Sequence, residues 1–206
     1  MSKIGSRFSF KDIKVLSRES VFSRFLKVDI VQLKHKMFNG GWSPVIKREV
    51  TVRERAVGVL MFDPKRDEIV LVKQFRIGVM QDLEEPWILE IVAGMVGDGE
   101  NFLDVANREA KEESGCEILD LIDICEYYNS PGISTEKVIL YCGIIDAENA
   151  GGIHGLEKEH EDIEVIVLSY KDALGYLESG YINNAMSIIA LQWLILNKNA
   201  IIKQWV

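Results

Sequence analysis

Cysteine is scarce: Cys116, Cys125 and Cys142 are the three thiols in 206 residues. An odd count without metal-site spacing excludes a disulfide framework and predicts reduced thiols in a cytoplasmic protein. Long apolar runs are missing as well. The longest, Ala185 to Leu196, is interrupted by Ser187 and Gln192, short of the roughly 20 residues that span a bilayer. The mixed polar residues after Lys3 argue against a secretory leader, which carries an apolar stretch there. There are no internal repeats and no low-complexity tracts. No membrane partner is expected.

What is present is core-forming material. Hydrophobic residues make up 48% and charged residues 27% of a 23.4 kDa chain. At that size folding buries about 70% of the unfolded surface, so intrinsic disorder is excluded. Charge is unevenly spread. Residues 1–50 hold 11 Lys and Arg against 4 Asp and Glu, whereas residues 51–206 hold 13 against 28. The net charge of −8 argues against a nucleic-acid partner, because phosphate contacts dominate that affinity. The acidic part suits divalent cations, and the basic part suits anions or the acidic part of a second copy.

Pattern along the chain predicts short extended segments first, at Val15 to Arg18, Phe25 to His35 and Ser43 to Val52. Ala56 to Phe62 and Glu68 to Gln74 read as strands joined across Asp63-Pro64-Lys65-Arg66-Asp67. Ile88 to Val92 reads as one strand, followed by a loop with Gly94, Gly97 and Gly99. From Phe102 to Ser114 the period turns helical, with Asn101 as cap and Gly115 as stop. Strands at Lys137 to Ile145 and Glu164 to Leu168 follow, then helices from Ser169 to about Glu178 and from Ala185 to about Asn197. Strands and helices in irregular order make the fold α+β.

The stretch that carries chemistry runs from Gly94 to Cys116. On a helix Glu109, Glu112 and Glu113 crowd one side, and like charges at that spacing repel. Arg108 lies four before Glu112 and can hold it. Carboxylates packed this way suit a hard cation such as Mg²⁺. A bare cluster would be an acidic solvated face, but the full spacing of Gly94, Glu100, Arg108, Glu109, Glu112, Glu113 and Gly115 is more specific. Ala110 and Cys116 fill its apolar positions.

This stretch resembles the Nudix box, G-x5-E-x7-R-E-U-x-E-E-x-G-U with U apolar, at every fixed position. Ser130-Pro131-Gly132, with the proline fifteen positions after Cys116, is similar to the marker of ADP-ribose pyrophosphatases within that superfamily. So are the segments Gly152 to Ile163 and Asn183 to Leu194. The resemblance implies an α/β/α sandwich at 51–206, preceded by a small antiparallel β-domain at 1–50 that dimerises and completes the substrate site. It also implies two or three Mg²⁺ ions, with Mn²⁺ as a substitute. Glu109, Glu113 and the backbone carbonyl of Ala93 match metal ligands, as does Glu161. Glu112 binds a further ion or orients its neighbours, and Arg108 and Glu100 brace loop and helix. Gly94 and Gly115 shape the box.

Outside the box, Glu159 matches the general base, with Glu157 and His160 as competing candidates in the same loop. A mobile loop suits a base that approaches only with substrate present. Arg53 and Arg76 match contacts to the diphosphate or terminal ribose, a task that guanidinium forks suit. Met95, Glu136 and the turn Ser130, Pro131, Gly132 match ribose and phosphate contacts. Arg48, Glu49 and Phe25 match residues that hold adenine at a homodimer boundary, although Phe25 in a strand also reads as core. The implied reaction is hydrolysis of ADP-ribose to AMP and ribose 5-phosphate. Its rivals are another nucleoside diphosphate sugar, such as GDP-mannose, and a non-catalytic nucleotide-binding module. The last would carry a damaged box, and this one is intact.

Overall fold

In a computed structural model, residues 7–81 and 85–206 are described; Lys3 lies outside them. Chain contacts divide the protein into two units, the first reaching to Glu54 and including Tyr128–Glu136, the second made of Arg55–Tyr127 and Lys137–Val206.

In the first unit, β1 (Ile13–Ser23), β2 (Lys27–His35) and β3 (Ile46–Val52) form an antiparallel sheet in that order. β1 is longer than the sequence pattern suggests, because two register shifts, at Val15/Ser17 and Ser20/Phe22, interrupt its alternation. Its whole length is exposed within the chain, Ile13, Val15, Leu16, Val21 and Phe22 included. Asp29 on β2 is buried and accepts a hydrogen bond from Arg18 Nε at 2.5 Å. Phe25 falls in the bend between β1 and β2 and is 90% exposed, so it is not core. The segment from Ser130 folds as a turn of this unit, where the Ile133 carbonyl accepts from the Thr51 backbone at 2.8 Å.

The second unit is built on β4 (Ala56–Asp63), an unbroken apolar run that both faces of the sheet explain. Val57, Val59 and Met61 pack on one side with Val105, Ala106 and Ala110 of α1 (Phe102–Ser114). Leu60 and Phe62 pack on the other with α2 (Tyr170–Glu178) and α3 (Ala185–Trp205), through Ala173, Leu191 and Leu194. The result is a helix–sheet–helix sandwich. β4 pairs with β5 (Glu68–Phe75) antiparallel and with β9 (Lys137–Ile144) in parallel. β8 (Asp120–Tyr128) lies beyond β9, and β11 (Ile163–Ser169) and β10 (Gly152–His154) extend the other side.

Beyond β1, the sequence pattern predicts no strand at β8 or β10, and two further elements differ from it in extent. The apolar run Ile88 to Val92 is not one strand: β6 (Trp87–Glu90) pairs with β5, and β7 (Val92–Met95) with β4. The chain changes partner at Ile91, whose N–H leaves the ladder and donates to Ser187 Oγ at 3.0 Å. The last helix passes Asn197 and runs 21 residues to Trp205. Asn197 donates to the Trp193 carbonyl, and Lys198 pairs with Asp67 at 2.5 Å while lying over the Tyr170 ring, so neither breaks the helix. That length corrects the shorter apolar stretch of the sequence reading, since by length and composition this helix could cross a membrane. Here Ser187, Ala190, Leu191, Leu194 and Ile201 are buried.

Candidate active site

The helix α1 presents its carboxylates because of where its caps set it. Asn101 Oδ1 accepts from the Leu103 N–H at 2.9 Å and starts the first turn. Gly115 closes the last turn in the left-handed region, at φ 70°. The apolar stripe Val105, Ala106, Ala110 carries Glu113 into the core with it, leaving that residue 3% exposed. Glu113 Oε2 accepts from the Ala93 N–H on β7 at 3.2 Å. Glu109 lies against Gly94, where any Cβ would enter its carboxylate. The glycine is thus a space requirement of the glutamate beside it.

Arg108 holds the outer carboxylates. Its NH1 stands 2.8 Å from Glu109 and 3.1 Å from Glu112, and its NH2 3.6 Å from Glu100. Glu100 in turn accepts from the Gly97 N–H at 2.7 Å. One guanidinium therefore links the glycine loop to two turns of α1. Arg76 follows β5 and donates from Nε to Glu90 Oε2 at 2.6 Å.

The loop after β10 is tied back to α1. The Gly155 N–H donates to the Glu112 carbonyl at 3.2 Å. Glu161 Oε2 accepts from the Leu156 N–H at 3.0 Å, which folds its side chain back across Gly155. Glu157, Lys158 and Glu159 form one 3₁₀ turn ending at His160, which is left-handed at φ 57°. Glu159 is half exposed, and its carboxylate lies 3.6 Å from Lys158 Nζ.

His154 was not singled out in the sequence, yet its ring covers Gly115: a Cβ there would lie 2.7 Å from His154 Cε1. Its Nε2 is 2.9 Å from the Gly151 carbonyl. Gly115→Ala should therefore lose stability twice, through a strained φ and through a displaced ring, by about 1–2 kcal/mol. A calorimetric scan should find Tm lower by roughly 2–6 °C; an unchanged Tm would mean that the ring contact carries no weight.

Charge in this cluster is poorly compensated. Burial, first, and then the neighbouring Glu109 and Glu161 push the Glu113 carboxyl up to about 8, against the Ala93 N–H and the positive charge of Arg76. Burial also raises Glu109, with Glu112 and Glu161 adding to it and Arg108 opposing. Among the described residues, no three acidic, imidazole or thiol groups stand close enough to hold an ion as they are. The carboxylates of this cluster offer only oxygen, and their charge is short of positive partners. Such a cluster fits a hard divalent cation.

Residues of the first unit group separately. Arg53 Nε lies 3.7 Å from Glu136, its guanidinium 5.5 Å from the Phe25 ring, and its backbone N–H donates to Thr135 Oγ1 at 2.8 Å. Asn129 donates to Glu136 at 2.7 Å. Ser130 opens a turn whose carbonyl accepts from Ile133 and Ser134, with Pro131 and Gly132 exposed at its tip. On β3, Arg48 donates to the Lys47 carbonyl at 2.9 Å, and Glu49 faces Ile30 across the ladder. Met95, in the second unit, ends β7 opposite Ala56 and is 38% exposed.

A glycine loop feeding a glutamate-rich helix, against a mixed sheet covered on both sides, defines the class. Residues 52–185 match the NUDIX domain family, and the chain belongs to it. It is 42% identical over 198 residues to the ADP-ribose pyrophosphatase of Escherichia coli K12, covering 96% of this chain and 95% of that one. The Haemophilus influenzae ADP-ribose pyrophosphatase is 40% identical over 208 residues, covering 100% and 95%. A GDP-mannose pyrophosphatase of Escherichia coli O1:K1 / APEC is 31% identical, over 72% of this chain and 77% of its own length. A crystal structure of an ADP compounds hydrolase shares the fold with a TM-score of 0.72 at 23% identity, covering 97% of this chain and all of the other.

Proposed function

We propose that the protein is an ADP-ribose pyrophosphatase, hydrolysing the diphosphate of ADP-ribose to AMP and ribose 5-phosphate. The observation that carries this reading is the buried, under-compensated carboxylate set of α1, joined to near full-length similarity of about 40% to ADP-ribose pyrophosphatases. The relative that is a GDP-mannose pyrophosphatase matches less of the chain at lower identity, which favours the adenine substrate.

Glu109, Glu113, Glu161 and the Ala93 carbonyl would hold Mg²⁺, with Glu112 beside them. When bound, the metal would neutralise the diphosphate and polarise the phosphoryl oxygens. Glu159 is proposed as the base that takes the proton of the attacking water, from an exposed turn that is free to approach. Arg108 keeps Glu109 and Glu112 in place, and Gly94 leaves Glu109 its space. In the second unit, Arg76 is proposed to grip the phosphates and Met95 to meet the ribose. In the first unit, Arg53, Glu136 and the Ser130 to Gly132 turn are each proposed as substrate contacts. Comparing kcat/KM for ADP-ribose and GDP-mannose under Mg²⁺ tests the substrate. ADP-ribose should be preferred by at least about tenfold, and the reverse order would hand the protein to the other sugar class.

A homodimer completes the reading. Its support is the apolar residues Ile13, Val15, Leu16, Val21 and Phe22 exposed along β1 and the basic first fifty residues of an otherwise acidic chain. Exposed apolar surface of this kind marks an interaction face. Phe25, Arg48 and Glu49 would then meet adenine at the boundary. Light scattering should find twice the 23.4 kDa chain mass; a monomer at micromolar concentration would contradict it.

A further inference from the structure

Glu90 is a buried carboxylate that the chemistry above leaves unused. It ends β6, is 5% exposed, and accepts from Arg76 Nε at 2.6 Å. A carboxylate is kept this deep only where a partner satisfies it. In register, Glu90 stands opposite Val72, which packs on the α1 side of the sheet. Arg76, four residues after Val72 along an extended backbone, shares that face.

The backbone on both sides of Glu90 is fixed from the far side of the sheet. The Leu89 carbonyl accepts from Asn184 Nδ2 at 2.9 Å, and the Ile91 N–H donates to Ser187 Oγ at 3.0 Å. Asn184 is also the cap of α3, accepting from the Ser187 N–H at 3.1 Å. Two side chains of one helix start thus clamp the carrier of the carboxylate, which clamps the arginine. Arg76 itself is anchored through its backbone N–H to the Pro86 carbonyl at 2.9 Å. Its Nε is spent on Glu90, while its side chain stays 40% exposed and its charge is felt by Glu113. A guanidinium held at Nε keeps four terminal N–H donors in a fixed plane, the arrangement that phosphate oxygens accept.

We propose that Glu90, braced by Asn184 and Ser187, is a positioning residue that fixes the plane of Arg76 for the diphosphate. The inference rests on the reading of Arg76 as a phosphate contact. Glu90 touches no substrate and acts only through the arginine. Its removal therefore weakens ground-state binding and leaves the chemical step largely intact.

The test compares wild type, Glu90→Gln, Arg76→Ala and the double variant, by ADP-ribose kinetics and by titration with ADP, whose diphosphate Arg76 would also bind. Glu90→Gln should raise KM and the ADP dissociation constant about tenfold, with kcat within about threefold. The double variant should be no worse than Arg76→Ala alone, because one loss contains the other. Wild-type ADP affinity in Glu90→Gln, or penalties that multiply in the double variant, would overturn the proposal. A purely structural Glu90 would instead lower Tm and kcat at unchanged KM. Should Glu90→Gln fail to fold, Ser187→Ala keeps the charge and loosens its support; it should raise the ADP dissociation constant severalfold, and no rise would overturn the brace. Wild type that binds ADP through Arg76 but does not cleave ADP-ribose would remove the substrate reading and leave this one standing.

Discussion

Glu113→Gln should lower turnover of ADP-ribose by at least about 100-fold, comparable to losing a charge-stabilising contact in an active site. The substitution keeps the shape and an acceptor for the Ala93 N–H, so the fold is retained. A second signature separates this loss from damage. The native protein binds the Glu113 proton more tightly than the unfolded chain does, with the carboxyl pushed up to about 8 against an ordinary 4.5. Stability from this group is therefore full below about pH 4.5 and is lost as pH rises through about 8. In EDTA, Tm should fall between pH 5 and 8, and Glu113→Gln should flatten that fall. Near-normal turnover of the variant at ordinary Mg²⁺ would remove Glu113 from the metal set, and an unaltered pH slope would contradict the raised carboxyl.

Glu159→Gln should lose most of its turnover, about 10²–10⁴-fold, with KM and Mg²⁺ dependence little changed. A base contributes to the barrier more than to ground-state affinity. Its half-exposed carboxylate lies 3.6 Å from Lys158 Nζ on an exposed turn, so the amide should not disturb the fold. Glu157→Gln and His160→Ala are the controls, drawn from the same 3₁₀ turn and its left-handed end. If one of them is crippled while Glu159→Gln turns over normally, the proton goes to that residue instead.

The box was legible because its residues lie on one loop and one helix, where side-chain identity and spacing determine position. Gly94 is explained by the approach of Glu109, and Gly115 by the His154 ring as well as by its left-handed turn. No local pattern signals His154. Glu90 and Arg76 are fourteen positions apart and meet through strand register, although a lone Glu inside Trp87-Ile-Leu-Glu-Ile-Val was a visible sign of a buried charge. The core strands and the helices followed from apolar runs, whereas their stacking as two helix layers on one sheet was implied by the resemblance. The break at Ile91 did not, because it depends on Ser187, 96 residues away. Ser130 to Glu136 reads in sequence as part of the main body, yet it packs with the first unit through Thr51 and Arg53.

Hydrolysis of ADP-ribose in ¹⁸O-water, with Mg²⁺ and with EDTA, tests the central claim most directly. Water can attack either phosphorus and the products are the same two, so the label reports what product analysis cannot. If Glu159 is the base near the adenosine-side phosphorus and Arg76 holds the other end, as proposed, the attacking water, phosphorus and leaving oxygen line up on that side. The account predicts AMP carrying one ¹⁸O, unlabelled ribose 5-phosphate, and no product in EDTA. Label in ribose 5-phosphate would reverse the substrate along the site, and an intact substrate under Mg²⁺ would contradict the account itself.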